Sequence, residues 1–505
     1  MHQRAVAREK LLQAEVDHLK AQLRLREQQL FGRKTETQTA SPETINSPNL
    51  TPKKRRGQQL GRPGPSRRDY SHLPEVVEDR YLAPEQQQCS CCGQPFEPFP
   101  GTEDSEVLEI DVRAYRRVIR RHRYRPSCTC QSHPGIITAP QAAKVIPKSI
   151  LGVSIWTEVL LDKFLFYRPT YRLLAEWQTR ELDLSLGTIT DGLQRLAPLF
   201  EPVYQKLIDH NQTQNFWHGD ETRWMVFATI EGKVGHRWFL WVFHSREAVV
   251  FVLSSGRAHD VPESHLGTIQ EGILVVDRYS AYKAMAAVKE GRIILAFCWA
   301  HVRRDFLEVA RSWPSEEGWA LGWLARIGQL YEANDARRKM LEDKEDKPAE
   351  FAAKDMVVRQ QVVQMASQLA TELATADLPL PRRKVLTSLE EHWSGLTVFV
   401  DHPEVPMDNN TAERAERGPV VLRKNSYGSG AVWAGKMAAM VLSVFQTLSL
   451  WNINPRVWLT AYLEACATAG GKAPPDLDGF LPWRMGEQKR KLWSLEKPPE
   501  RQDTS

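Results

Sequence analysis

Residues 215–300 set the strongest limit on how this chain can fold. Five runs there, NFWHGDETRWMVFATI, HRWFLWVFHS, AVVFVLSS, GILVVDRYSAY and RIILAFCWA, are either continuously apolar or alternate apolar with polar residues, as strands do. A helix-like stretch from REAV to HLGTIQ leaves room for short turns before the fourth run. Three successive strands, a crossover and further strands predict a mixed α/β sheet. The period changes on both sides. Residues 148–207 carry apolar side chains at helical spacing and read as three or four helices. Pro169 stands where one helix should start, ELDLSLG reads as a turn, and Ser185 or Thr188 caps the helix that follows. This cluster is either a helix-turn-helix reader or a packing domain. Residues 302–400 are polar with apolar positions three and four apart, and a structureless loop of that length does not fit a compact domain. The segment is therefore expected to be an inserted helical subdomain beside the functional site.

The N-terminal third has a different character. Leu12, Val16, Leu19, Leu23 and Leu30 follow a heptad-like spacing within a polar helix, which either pairs with another copy or docks on its own chain. TETQTASPETINSPNLTP has almost no large apolar side chains and cannot order itself by burial. It leads into KKRRGQQLGRPGPSRR, where Lys53, Lys54, Arg55, Arg56, Arg62, Arg67 and Arg68 carry seven positive charges before the first acid, Asp69. Such a run is either a solvated tail or a phosphate-contacting arm acting through counterion release. Farther on, CSCCG places Cys89 and Cys92 in a C-x-x-C knuckle, and CTC places Cys128 and Cys130 beyond an alternating stretch, VLEIDVRAYRRVIRRHRYR. Two cysteine pairs separated by strands have the layout of a zinc ribbon, in which thiolates replace an inadequate core. The C-x-C spacing of the second pair makes Cys91 and His133 substitute ligand candidates, and a ribbon that has lost its metal is the alternative. Arg117, Arg120 and Arg121 belong to a second basic patch on that stretch.

Composition narrows the classes further. Hydrophobic residues make up 42% and charged residues 26% of 505. No apolar run approaches the ~20 residues of a membrane span. MHQRAVAREKLLQAE has no apolar core of a secretory signal, so a cytoplasmic chain is expected. Seven cysteines do not make a disulfide scaffold. A net charge of only +5 excludes a uniformly basic coat, so any nucleic-acid contact must come from local patches.

The chemistry concentrates in three acids. Asp220 and Asp277 are each preceded by apolar strand residues and are expected where strands leave the core, the place where open α/β sheets gather ligands. Glu413 follows in PMDNNTAERAERGPVVLRKNSYGSG at an apparent helix start, with Asp408, Asn409 or Asn410 as its cap. Singly, each acid has a structural explanation as a turn, cap or surface ion-pair residue. Together they are what is needed to hold two divalent cations about 3.5–4 Å apart, and hard oxygen ligands favour magnesium or manganese. Arg414, Arg417, Arg423 and Lys424 surround Glu413 and are candidate phosphate contacts, with ordinary helix-surface charge as the alternative. Cys298 and His301 form C-x-x-H after the fifth strand. Packing is the simpler reading of Cys298. His301 is a candidate to orient a carboxylate or contact DNA, with Arg303 and Arg304 facing the DNA. Most tryptophans are expected in the core.

These motifs, taken in order, resemble a DDE-type transposase of the insertion sequence 66 family. QQLFGRKTE, CSCCG, HGDETRW, VVDRYSAY, CWAHVRRDF, DNNTAERAERGPVVLRKNSYGSG and WNINPRVWLTAYL are similar to successive elements of that family. The resemblance implies an RNase H-like catalytic core with Asp220, Asp277 and Glu413 as its metal-binding triad. It sets Glu416 aside, because that position is usually apolar in the family, so Glu416→Ala is expected to be mild. It also implies two magnesium or manganese ions, a structural zinc, double-stranded DNA as partner (the element's terminal inverted repeats and target), a homo-oligomer, element-encoded accessory proteins and a bacterial, nucleoid-associated setting. The expected organisation is multidomain α/β. A helix or coiled coil spans 1–34, a disordered basic linker 35–70, a zinc-ribbon-like module 71–140 and a helical DNA-binding domain 141–210. The catalytic core takes 211–301 and 401–450, the helical insertion 302–400, and a C-terminal segment 451–505. The alternatives are a DNA-binding regulator derived from a transposase and a metal-dependent nuclease on the same fold.

The ribbon reading has a direct test. Metal analysis of the purified chain should find zinc, with about one equivalent lost together with end binding in the Cys89→Ser, Cys92→Ser double variant. Fully active protein without zinc would refute it.

Overall fold

The computed structural model describes residues 112–125, 136–229, 235–342 and 347–495, with a few scattered positions nearer the N-terminus. The chain divides into two compact units, Met1–Lys34 with Arg117–Leu495, and Thr35–Arg116 with Glu496–Ser505. The first unit holds every helix and strand among the described residues. Lys53, Lys54, Arg55, Arg56 and the four ribbon cysteines lie outside the described residues.

From Val153 onward the first unit opens with helices. They are α1 (Val153–Phe164), α2 (Thr170–Gln178) and α3 (Leu186–Gln212). Pro169 occupies the N-cap position of α2, and Ser185 Oγ caps α3 by accepting the Thr188 N–H at 3.1 Å. All five expected strands follow: β1 (Phe216–Met225), β2 (Arg237–Ser245), β3 (Val249–Ser254), β4 (Gly272–Val276) and β5 (Ile293–Phe297). The sheet order is β3-β2-β1-β4-β5. The β1–β2 and β2–β3 pairs are antiparallel, whereas β1–β4 and β4–β5 are parallel. Helix α4 (Asp260–Leu266) lies between β3 and β4, and α5 (Ser280–Lys283) and α6 (Ala286–Lys289) lie between β4 and β5.

After β5 the chain is helical through residue 401. It forms α7 (Trp299–Ser312), α8 (Glu317–Glu342), α9 (Pro348–Leu373), α10 (Leu380–Glu391), α11 (Trp393–Leu396) and α12 (Val398–Asp401). No strand occurs there among the described residues. Val358, Val362, Met365 and Leu369 of α9 are buried in a core shared with β4 and β5, so this segment packs on the sheet rather than standing apart. The remaining helices are α13 (Asn410–Ser426), α14 (Val432–Leu450), α15 (Pro455–Thr468) and α16 (Glu487–Leu492). No described helix is long and apolar enough to cross a membrane.

The sheet is covered on both faces, which explains why its strands read as nearly continuous apolar runs. In β2, Leu240 and Val242 join a core formed with α1, α3, α14 and α15. Their neighbours Trp241 and Phe243 join the opposite core, formed with α7 to α12. The two-residue strand period thus divides one apolar run between two cores. Residues of 148–207 supply much of the first core, including Trp156, Leu193, Phe200 and Leu207. Trp217, Trp224, Trp238, Trp241 and Trp299 are buried, whereas Trp433 and Trp451 are half-buried.

Two expectations change. Of the described part of the alternating stretch before Cys128, residues 112–125, only Arg123–Tyr124 forms a strand, paired with Ile137–Thr138. Val112, Tyr115, Val118 and Ile119 are exposed, so the stretch has an alternating pattern but no covering layer among the described residues. Arg117, Arg120 and Arg121 are exposed there, and Arg121 Nε donates to the Ala139 carbonyl at 2.7 Å. In the N-terminal helix, Ala21 is buried and Arg24 donates to the Ser312 carbonyl at 3.2 Å, so one side docks on its own chain. Val16, Leu19 and Leu23 remain exposed.

Strand β3 is an edge whose outward backbone groups would be open to foreign pairing. Helix α14 covers them with hydroxyls. Phe251 N–H donates to Ser443 Oγ at 2.8 Å and Val249 N–H donates to Thr447 Oγ1 at 3.0 Å, while Tyr204 OH donates to the Phe251 carbonyl at 2.6 Å. This accounts for a serine and a threonine inside an otherwise apolar helix. Ser443→Ala strands a buried N–H and should cost about 1–3 kcal/mol in denaturant unfolding. An unchanged midpoint would show that α14 does not satisfy this edge.

Candidate active site

The site forms where β1 and β4 part. Their parallel pairing covers only Phe216–His218 against Ile273–Val275. Strand β1 then continues to Met225, held by β2 alone. Asp220 therefore lies within its strand rather than at the strand's end, but two residues past the last β4 rung. Asp277 directly follows β4. Both acids thus reach the opening between diverging strands, and the expectation for Asp220 is corrected only in its register.

Helix α13 brings the third acid. Its first turn carries Glu413, and its start is fixed by one buried residue, Asn409. Asn409 occupies the N-cap position without capping through its side chain. Its Nδ2 donates to the Gly219 carbonyl at 2.8 Å, and its Oδ1 lies 3.0 Å from His218 Nδ1. Burial lowers His218 to about 4, so the ring is neutral near pH 7 and can donate from Nδ1. Asp408 takes the turn-forming role instead, its Oδ1 accepting the Asn410 N–H at 3.0 Å. The far end of α13 is tied as well. Tyr427 takes a left-handed conformation, Gly428 has φ +120°, and Ser429 pairs with Val226 just beyond β1. A Cβ on Gly428 would lie 2.3 Å from the Met225 carbonyl oxygen.

The acids influence one another. Burial pushes Asp220 up to about 7, aided by the negative charges of Glu221, Asp277 and Glu413 and opposed by the Glu221 N–H donated to its Oδ1 at 2.9 Å. Asp277 Oδ1 accepts the Tyr279 N–H at 2.9 Å. Among the described residues, no ion pair holds Asp220, Asp277 or Glu413. Glu221 differs: strand alternation turns it to the opposite face, where Arg257 pairs with it and Tyr282 OH donates to it at 2.9 Å. His301 is half-buried and lowered by burial and Arg304, while Asp277 and Glu413 oppose that shift.

Glu416, which the family resemblance sets aside, has an unusual environment. It is 8% exposed, and its Oε1 is buried without a hydrogen-bond partner. Burial pushes it up to about 10, with further contributions from Asp220 and Glu221 and relief from Arg423. The i, i+3 relation to Glu413 was the available signal, since it puts both acids on one side of the helix. The position is as dry as an apolar residue would require, yet it holds a carboxyl.

The basic candidates separate. Arg414, Arg417 and Lys424 are exposed on α13, and Arg304 is exposed on α7. Arg303 is half-buried. Arg423 turns inward, and its Nη1 donates to the Arg223 carbonyl at 2.8 Å.

Oxygen ligands without paired cations suit a divalent metal. Among the described residues, the group that places one ligand atom each within 4.8 Å of one another is Cys298, His301 and Glu413.

Comparison with known proteins gives the family. Residues 148–437 match the family model described as Transposase IS66 family. The chain is also similar to two uncharacterised proteins of Sinorhizobium fredii. One, y4jD, is 28% identical over 429 residues, 82% of this chain and 80% of that protein. The other, y4hP, is 26% identical over 435 residues, 81% of this chain and 75% of that protein.

The state of Glu416 is measurable. An unfolded glutamate releases its proton near the ordinary value of 4.5, whereas the folded chain keeps it to about 10. The proton's contribution to stability is therefore complete below the lower value and is lost as pH rises toward the upper one, by at most about 1.4 kcal/mol per pH unit. Above pH 7.5, where Asp220 adds little, metal-free Glu416→Gln should lose stability less steeply than the native chain in urea unfolding. Equal slopes would mean that Glu416 is already ionised.

Proposed function

The chain belongs to the transposase IS66 family, and from that premise we propose that it binds the terminal inverted repeats of an insertion sequence, cleaves at the element ends and joins the freed 3′-hydroxyls to target DNA. What supports this reading is the family match together with the placement of Asp220 and Asp277 where β1 outruns β4 and of Glu413 in the first turn of α13. The strand order, with three antiparallel strands followed by two parallel ones, supports an RNase H-like core.

In this reading Asp220, Asp277 and Glu413 hold two magnesium or manganese ions. When bound, such ions activate the attacking water or 3′-hydroxyl and stabilise the leaving oxygen of an in-line phosphodiester displacement. The chain's own contribution is placement. Asn409 fixes the first turn of α13 against β1, so Glu413 has a defined position relative to Asp220. The raised value of Asp220 means that the empty cluster holds protons near neutrality, which cations would displace. Arg414, Arg417 and Lys424 line the exposed side of α13 and are assigned to the DNA backbone, with Arg304 of α7 beside them. Arg423 is assigned to Glu416 rather than to DNA.

We assign the N-terminal arm and the 71–140 module to end recognition, and the helices of 302–400 to positioning the end DNA. Replacing residues 340–380 by a linker is a poor test of the latter, because it removes buried side chains of α9. Charge reversal of exposed residues is cleaner.

Asp220→Ala, Asp277→Ala and Glu413→Ala should each abolish magnesium-dependent cleavage and strand transfer on terminal-repeat duplexes. Gel-shift affinity for the same duplexes should stay close to native, because phosphate contacts elsewhere supply most of it. Full cleavage by any of the three variants would remove that residue from the triad.

A further inference from the structure

We propose that Cys298, His301 and Glu413 form a second metal site, selective for zinc-type ions, which competes with the magnesium centre for Glu413. The proposal rests on the catalytic assignment of Glu413 only for its consequence, not for the binding itself.

The three side chains come from two helix starts. Cys298 is the N-cap residue of α7 and His301 lies three positions on, which puts both on one side of its first turn. Glu413 occupies the first turn of α13. Two bonds join these segments: Trp299 N–H donates to the Met407 carbonyl at 2.8 Å, and Asn409 N–H donates to Cys298 Sγ at 3.2 Å. The two helix starts are thus held in register, with the three ligand atoms within 4.8 Å of one another.

The donor set decides the ion. Magnesium takes oxygen ligands and avoids thiolate, whereas one sulfur, one imidazole and one carboxylate are a three-ligand zinc set with a fourth position open. Two further observations point the same way. His301 Nδ1 is buried and has no hydrogen-bond partner. Cys298 is fully buried, and its sulfur accepts the Asn409 N–H. Metal binding would displace the thiol proton to solvent and draw on Glu413. Zinc should therefore inhibit magnesium-dependent cleavage.

The test compares the full chain with Cys298→Ser and His301→Ala after chelator treatment and reloading with cobalt(II), a spectroscopic substitute for zinc. The native chain should take up one more equivalent than Cys298→Ser and show additional sulfur-to-cobalt absorption in the near ultraviolet. Cysteines elsewhere cancel in the difference. His301→Ala, at a half-exposed position, should weaken cobalt binding by about 10–100-fold, using the range found for disturbed metal sites. Micromolar zinc should inhibit native cleavage more strongly than cleavage by either variant. Equal cobalt uptake and spectra in native chain and folded Cys298→Ser would overturn the proposal. If Cys298→Ser does not fold, unchanged cobalt affinity in His301→Ala does so alone. The cobalt measurement needs no DNA, so a chain that binds cobalt through Cys298 but cuts no terminal-repeat duplex would refute the catalytic reading and leave this site standing.

Discussion

Asn409 is the junction on which the site's geometry depends. Its side chain bridges to His218 and Gly219 of β1, its N–H reaches Cys298 at the start of α7, and its carbonyl accepts the Glu413 N–H at 3.2 Å. One buried residue thus joins the strand bearing Asp220, the helix bearing His301 and the helix bearing Glu413. A buried amide must find partners or incur a large desolvation penalty, so these bonds hold the three segments in one arrangement. The apolar environment strengthens them further.

That junction holds because the sheet beneath it is rigid. Both faces of the five strands are covered, and apolar side chains alternate between two cores. Strand β1 belongs to both sides, parallel to β4 for three residues and antiparallel to β2 for nine. The opening used by Asp220 and Asp277 is the place where β1 outruns β4. The site is therefore a consequence of unequal strand length rather than of a loop.

The acids occupy this opening against their own electrostatic preference. Buried carboxylates near one another resist ionisation, which accounts for the raised values of Asp220 and Glu416. Glu221 is raised by burial as well, with partial relief from its pair with Arg257. Such unrelieved charge lowers folding stability and is tolerable where a cation is to be held. The same opening also meets a sulfur and an imidazole, giving Glu413 two chemically different sets of neighbours.

Much of this was legible in the sequence, because it is local. Period-two and helical spacing determined the five strands, the helices flanking them, the helix starts at Pro169 and Ser185 and the helical nature of 302–400. Asp277 after an apolar run is a local fact as well. The tertiary structure alone decided what each side chain meets. Asn409 looks like a helix cap in sequence, but its amide is used 191 residues away, on His218. Ser443 and Thr447 look misplaced in an apolar helix until an edge strand requires their oxygens. Glu416 reads as a substitute for an apolar residue, and only the packing of α13 on β1 makes it a buried neighbour of Asp220. Spacing along a chain determines which side chains share a face, but long-range packing determines what that face is pressed against, and burial, charge and metal affinity follow from the second.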